Sequence, residues 1–434
     1  MAVQESDLDV LRKVSGGIKV PEHGPRPWSR LDNAGKLFPS IASSRATTYF
    51  RLSVSFYRAI EPEVLHRALA ETLPFFHAFR VRLVRGIFWY SLAPCDVIPV
   101  PLPEQTFPCM PVARRYRAPL LFRVRWWKKR LSVEFSHALT DGTGGMTFLT
   151  SLAASYAGLA FVKPESGQAE DAFQALREKG YPRSRAWSPA FHVPFQLLPK
   201  GEYAVVTGTM PLDAVKQLAS IQKMTLTEYV CAVYLAAFQE IFENLEPAQR
   251  RRLAAPIRIV IPINLRKFFP SPTLRNFFAV FPVEIDPSLG HYSFEEICHK
   301  VKGTFQVETD IKLIRKQVAR NLRGEMNPVA RLSPLIFKNL FLGRAFFNYE
   351  RQYTSSLSNL GAFPVSAGLA ELLAEADFVP PPNPYTKVHC GVVSLRGSLS
   401  ITVARLMNSS AVERAFFGFL RRQGAAVRLI TNQF

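Results

Sequence analysis

The sequence predicts a mixed α/β protein built as two similar lobes, and three observations carry that expectation. Stretches of two-residue apolar alternation and stretches of helical apolar spacing follow one another in both halves of the chain. A polar, proline-broken stretch over 164–200, without apolar periodicity, separates the halves. The composition, 434 residues with 48% hydrophobic and 20% charged side chains, is too apolar for disorder and ample for two cores. The expected division is a loose arm over 1–27, a first lobe over 28–163, a crossover over 164–200 and a second lobe over 201–434.

Thr47–Phe56 alternates Phe50, Leu52, Val54 and Phe56 on one face and reads as a strand. Pro62–Phe76 spaces Val64, Leu65, Ala68, Leu69 and Leu73 as a helix does, and Phe79–Tyr90 returns to strand. Prolines crowd the region from Pro94 to Pro119, which reads as a loop or sheet-edge excursion. Leu120–Trp127 and Leu131–His137 are strands joined by the charged turn Lys128-Lys129-Arg130. In the second of these, Leu131, Val133 and Phe135 share a face that His137 continues by parity. Met146, Leu149, Leu152, Ala153, Tyr156 and Leu159 predict the helix that follows. In the second half, Tyr203–Met210, Ile257–Ile263, Phe277–Ile285 and Ser355–Leu360 read as strands. Cys390–Leu395 and Leu399–Leu406 read as a hairpin turning at Arg396-Gly397-Ser398. Thr225–Phe242, Phe294–Lys316 and Val412–Gln423 read as helices.

Lys and Arg total 54 against 34 Asp and Glu, a formal charge of +20. Such an excess suits a polyanion, an anionic membrane, a phosphorylated co-substrate or an acidic protein. The five cysteines show no C-x-x-C pair, which suits a reducing compartment and speaks against a disulfide framework or a Cys-rich zinc site. The eight histidines show no metal-binding spacing, so no metal is expected. The opening MAVQESDLDVLRKV lacks the apolar core of a secretory signal, and no apolar run reaches spanning length. The expectation is a cytoplasmic monomer.

His137-Ala-Leu-Thr-Asp141-Gly142 is an H-x-x-x-D-G hexapeptide. A histidine ending a buried strand, followed by a tight Asp-Gly turn into a helix, is held rigidly, as a general base must be. The hexapeptide in this setting resembles the CoA-dependent acyltransferase superfamily, which includes chloramphenicol acetyltransferase, plant BAHD acyltransferases, alcohol O-acetyltransferases and peptide-synthetase condensation domains. The resemblance implies two chloramphenicol-acetyltransferase-like lobes, each a mixed β-sheet with helices, and an active-site tunnel between them with His137 at its midpoint. Ile261-Pro-Ile-Asn-Leu-Arg266 and the following Thr273-Leu-Arg-Asn276-Phe-Phe-Ala-Val-Phe-Pro282 resemble two further elements of the superfamily. They imply that Arg266 pairs with Asp141, that Asp141 is architectural, that Gly142 serves the turn and that Asn276 is structural. Ser356-Leu-Ser358-Asn359-Leu-Gly361 resembles a second-lobe strand that faces the reacting carbonyl. Ser358 is the candidate oxyanion donor, with Asn359, otherwise structural, and a backbone N–H left open as alternatives. Trp28-Ser-Arg-Leu-Asp32-Asn33-Ala-Gly-Lys36 resembles the opening of the free-standing members and carries no catalytic expectation.

Ser136 stands where condensation domains have a second histidine, and the BAHD D-F-G-W-G element is absent. Both departures favour a free-standing enzyme like the alcohol O-acetyltransferases. The implied reaction moves an acyl group, acetyl by that likeness, from acyl-CoA to an alcohol or amine in a ternary complex. His137 acts as base and is expected to titrate near neutrality. No cofactor is held permanently; phosphopantetheine on an acidic acyl carrier protein is the alternative donor, and a silent scaffold of the same fold is the non-catalytic alternative. A nucleic-acid reading rests on Arg114-Arg115-Tyr-Arg117, Trp126-Trp127-Lys-Lys-Arg130, Arg250-Arg-Arg252 and Arg421-Arg422, which are too dispersed to favour it. Leu335–Phe347 mixes large apolar groups with cations and raises peripheral membrane contact against a buried second-lobe helix.

Overall fold

The computed structural model describes residues 28–43, 47–110, 120–176, 187–323 and 332–433. The arm over 1–27 and the Arg114–Arg117 cluster lie outside the described residues. The first half supplies β1 (Ser29–Arg30), α1 (Phe38–Ile41), β2 (Tyr49–Phe56), α2 (Pro62–Thr72), β3 (Val81–Arg85) and β4 (Tyr90–Pro94). It continues with β5 (Leu102–Pro103), β6 (Phe122–Trp127), β7 (Arg130–Ser136) and α3 (Gly142–Tyr156). The second half begins with β8 (Ala204–Pro211), α4 (Leu212–Ile221), α5 (Leu226–Glu243), α6 (Pro247–Leu253), β9 (Ile257–Asn264) and β10 (Phe278–Ile285). Helices α7 (Phe294–Glu308), α8 (Ile311–Arg323) and α9 (Leu335–Glu350) lead to β11 (Ser355–Ala362), α10 (Ala367–Leu372) and β12 (Leu373–Val379). The chain closes with β13 (Val388–Leu395), β14 (Ser398–Arg405), α11 (Ala411–Arg422) and β15 (Arg428–Thr431).

Each lobe is organised on a mixed sheet. The first has the order β12-β2-β7-β6-β5, the second β10-β9-β11-β13-β14-β8-β15, and a small β1-β4-β3 sheet stands beside the first. In the second sheet β11 runs parallel to both neighbours, β9 and β13, while the flanking pairs are antiparallel. Two separate apolar cores fill the space under the helices, one around Phe79, Phe135 and Phe148, the other around Tyr234, Phe238 and Phe416.

Three features differ from the sequence expectation. Strand β12 comes from the second half yet pairs antiparallel with β2 in the first sheet, so 201–434 is not a self-contained lobe. The stretch read as one strand over Phe79–Tyr90 is a hairpin of β3 and β4, bent at Gly86. The Gly86 amide donates to the Trp89 carbonyl at 3.0 Å, and a Cβ at Gly86 would stand 2.7 Å from that oxygen. The helix expected over Phe294–Lys316 breaks into α7 and α8, where the Asp310 carboxylate accepts the Lys312 amide at 2.7 Å and starts a new helix.

Both faces of β7 are covered. Leu131, Val133 and Phe135 are wholly buried, as the alternation predicts, but so are Ser132, Glu134 and Ser136 behind them. Glu104, in the described part of the proline-rich excursion, reaches that polar face and meets Arg51 (3.4 Å), Arg130 (2.9 Å) and Ser132. Burial pushes the Glu104 carboxyl up, yet Arg51 and Arg130 overcome it and hold the group at about 2. Part of the basic excess is therefore internal, neutralising buried carboxylates.

Candidate active site

His137 follows the last residue of β7, and its amide donates to the Thr48 carbonyl at 2.9 Å, which keeps it in register with the chain as it enters β2. The ring lies between two phenylalanines. Phe38 of α1 stacks at 4.7 Å and 17°, and Phe50 of β2 lies at 4.6 Å and 43°. Nδ1 is buried without a hydrogen-bond partner. Burial drives the imidazole down to about 4, against the opposing pull of Asp141, the Asn276 amide and the Thr140 backbone. The near-neutral titration expected from the motif is thus corrected: packing against Phe38 and Phe50 desolvates the ring and disfavours the imidazolium, although the residue as a whole is half-buried. Phe38→Ala is expected to admit water and raise the His137 pKa toward the ordinary 6.5, read by NMR titration of the imidazole protons; an unchanged value would show that Phe38 is not what dries the ring.

The Asp141 side chain ties the motif to the second lobe. Its Oδ1 accepts the Gly144 amide at 3.0 Å and caps α3. Its Oδ2 accepts Arg266 Nη1 at 2.8 Å and the Phe277 amide at 2.8 Å. Arg266 is itself fixed, donating through Nε to the Thr273 carbonyl (3.0 Å) and through Nη2 to the Arg275 carbonyl (2.6 Å). Asp141 therefore spends its lone pairs on architecture. Gly142 follows because a Cβ there would collide with the Leu360 side chain of β11, and at Gly144 a Cβ would collide with the Leu274 carbonyl. Thr140 Oγ1 donates to that same carbonyl at 2.5 Å, and Asn264 donates to Thr143 Oγ1 at 3.1 Å. The segment from Asn264 to Phe277 thus bonds to the turn at His137, Leu139, Thr140 and Asp141.

Asn276 reaches the catalytic candidate itself. Its Nδ2 donates to the His137 carbonyl at 2.9 Å and to Asp32 at 3.0 Å. Its Oδ1 is buried and orphaned, as is His137 Nδ1, and the Asn276 side chain raises the His137 pKa. Asp32 is fully buried, accepting from the Gly35 amide at 2.7 Å as well as from Asn276. Burial raises its carboxyl to about 6 despite those bonds and nearby Arg275. Sequence reasoning noticed Asp32 only as part of an opening segment and Asn264 only inside the segment that ends at Arg266, gave neither a role, and missed Phe38 altogether. An acid inside an otherwise apolar-flanked L-D-N-A-G was the available signal for Asp32; Phe38 carried none.

Ser358 lies on β11 opposite Gly391 of β13. Leu357 points into the second core, so Ser358 faces the other way, with Leu360 that covers Gly142. Its hydroxyl has no hydrogen-bond partner among the described residues. Asn359 is occupied differently: Nδ2 donates to Thr227 Oγ1 of α5 at 2.9 Å, and Oδ1 accepts the Gly361 amide at 2.8 Å. All five cysteines are buried, and burial raises the thiols of Cys109, Cys231, Cys298 and Cys390, so none of these four offers a ready thiolate. Among the described residues no three His, Cys, Asp or Glu side chains gather as a metal site.

Neither a family model nor a curated protein matches the chain. Solved structures do. TRI101 of F. sporotrichioides, complexed with coenzyme A and T-2, matches at 10% identity over 93% of this chain and 100% of its own, with a TM-score of 0.61. TRI3 trichothecene 15-O-acetyltransferase from Fusarium sporotrichioides matches at 11% identity over 94% and 96%, with a TM-score of 0.59. The starter condensation domain of rhizomide synthetase RzmA, complexed with C8-CoA and Leu-SNAC, matches at 11% over 97% and 96%, with a TM-score of 0.58. The two-lobed architecture derived above is therefore the fold that the chain shares with these three structures.

Proposed function

We propose that the chain transfers an acyl group from an acyl-CoA thioester to the hydroxyl of a small acceptor, with His137 as general base. The observation that carries this reading is the placement of His137. It is a neutral imidazole at a strand end, its carbonyl pinned by Asn276 and its turn locked by Arg266 from the other lobe. With its proton on Nδ1, the neutral ring leaves Nε2 as the basic atom. Nε2 takes the acceptor O–H proton as the oxygen bonds to the thioester carbon. The oxyanion that forms draws on the Ser358 hydroxyl, and collapse breaks the C–S bond; the departing thiolate recovers the proton from the imidazolium. The proton and electron pairs balance with no enzyme nucleophile.

The test is thiol release from a panel of acyl-CoAs against primary alcohols, secondary alcohols and amines. Turnover with at least one pair, dependent on the acceptor, is expected. Turnover only from acyl-phosphopantetheine on an acidic carrier protein would move the donor to a carrier; silence in both arms would leave a scaffold. The same assay should be flat from about pH 8 to about pH 5 and fall below, because the neutral imidazole persists until its pKa of about 4. An inflection at 6.5 would contradict a dry ring in the working enzyme.

A further inference from the structure

Helix α9 is mounted with its polarity reversed. Ile336, Phe337, Leu340 and Phe341 are 68%, 65%, 76% and 72% exposed, spaced as one outward stripe, whereas Lys338 is only 7% exposed. Lys338 turns inward, donating to the Phe88 carbonyl at 2.9 Å with its ammonium 3.5 Å from the Trp89 ring centroid. The tip of the β3–β4 hairpin joins the stripe. The Leu335 amide donates to the Ile87 carbonyl at 2.8 Å, and Ile87 and Phe88 are also exposed. Two elements distant in sequence thus raise six large apolar side chains side by side, a patch that a free surface does not ordinarily carry.

The charge around the patch selects what covers it. Neither 81–94 nor 332–349 contains an Asp or Glu, while Arg82, Arg85 and Arg344 are exposed on the same elements. A second copy would bring the same basic rim and another +20 against it. An anionic lipid surface satisfies both halves of the pattern, since Phe, Leu and Ile enter the acyl boundary while arginines meet the headgroups. We propose that α9 and the β3–β4 tip form a docking surface for an anionic lipid bilayer. The surface adjoins the candidate active site through α1. Asn339 of α9 accepts the Ser40 hydroxyl at 2.8 Å, and α1 carries the Phe38 ring that covers His137. A small, shallow cleft lined by Lys36, Ser40, Trp89, Tyr90 and Lys338 lies between these parts. The docking surface stands on exposure and charge alone, independently of the acyl-transfer reading.

Flotation of the full chain with vesicles tests this. Vesicles of phosphatidylcholine with about one-third phosphatidylglycerol are expected to carry the protein up, pure phosphatidylcholine much less, and high salt should weaken binding. Phe337→Ser, Leu340→Ser and Phe341→Ser combined should lower the bound fraction at least about tenfold. These side chains are exposed, so the variant should keep its melting temperature and circular dichroism. Wild-type protein that stays with the dense fraction, or a folded triple variant that floats equally well, would overturn the proposal. So would light scattering that shows a dimer lost in the variant, because a second copy would then own the face.

Discussion

Arg266→Ala is expected to destabilise the chain by about 3–5 kcal/mol, the range for removing one partner of a buried ion pair. The loss has identifiable parts. Asp141 keeps only the Gly144 and Phe277 amides, and the Thr273 and Arg275 carbonyls lose their guanidinium donors. Because Asp141 caps α3, the start of that helix and the His137 turn should loosen together, and acyl transfer should fall with stability. Arg266→Lys keeps the charge but not the planar fork that reaches four oxygens, so it should fall between wild type and alanine. Chemical denaturation measures the first effect; a loss under about 1 kcal/mol would show that Arg266 does not hold the lobes at this point.

His137→Ala should lower acyl transfer by about a thousandfold, within the range for removing a general base. The ring also packs between Phe38 and Phe50, so truncation leaves a small cavity and a cost of about 1–3 kcal/mol. Circular dichroism and the melting temperature separate this from unfolding. Asp141 is held by Arg266, and His389, also driven by burial to about 4, is bonded to Thr386 at 2.7 Å in the second lobe, so neither of these two can take over from the imidazole. Activity within tenfold of wild type in a folded variant would remove His137 from the reaction.

The hexapeptide was legible because its geometry is local: strand end, tight turn and helix cap lie within six residues. Alternation likewise showed which side of β7 meets the first core. It could not show that Ser132 and Glu134 are buried too, because the covering Glu104 arrives from a loop with no periodicity. Nor could it place β12, whose partner β2 lies at the other end of the chain. Arg266 was reachable only by resemblance, and Phe38 not at all, since ring stacking on His137 depends on where a four-residue helix comes to rest. For α9 the helical spacing was plain, but the same stripe reads equally as buried or exposed; only Lys338 stacked on Trp89 shows which way it faces. The dispersed basic clusters are also resolved in part. Arg130 is engaged by buried Glu104, whereas Arg422 meets Glu240 in an exposed pair at 3.5 Å.

The most direct test of direct, base-catalysed transfer is intact-mass analysis of the chain during turnover with acyl-CoA, with and without acceptor. The expected result is an unmodified chain throughout, with acylated product formed one-for-one with free thiol and only when acceptor is present. A chain heavier by one acyl group that clears on adding acceptor would contradict the account, since it would place a covalent nucleophile where His137 alone is assigned.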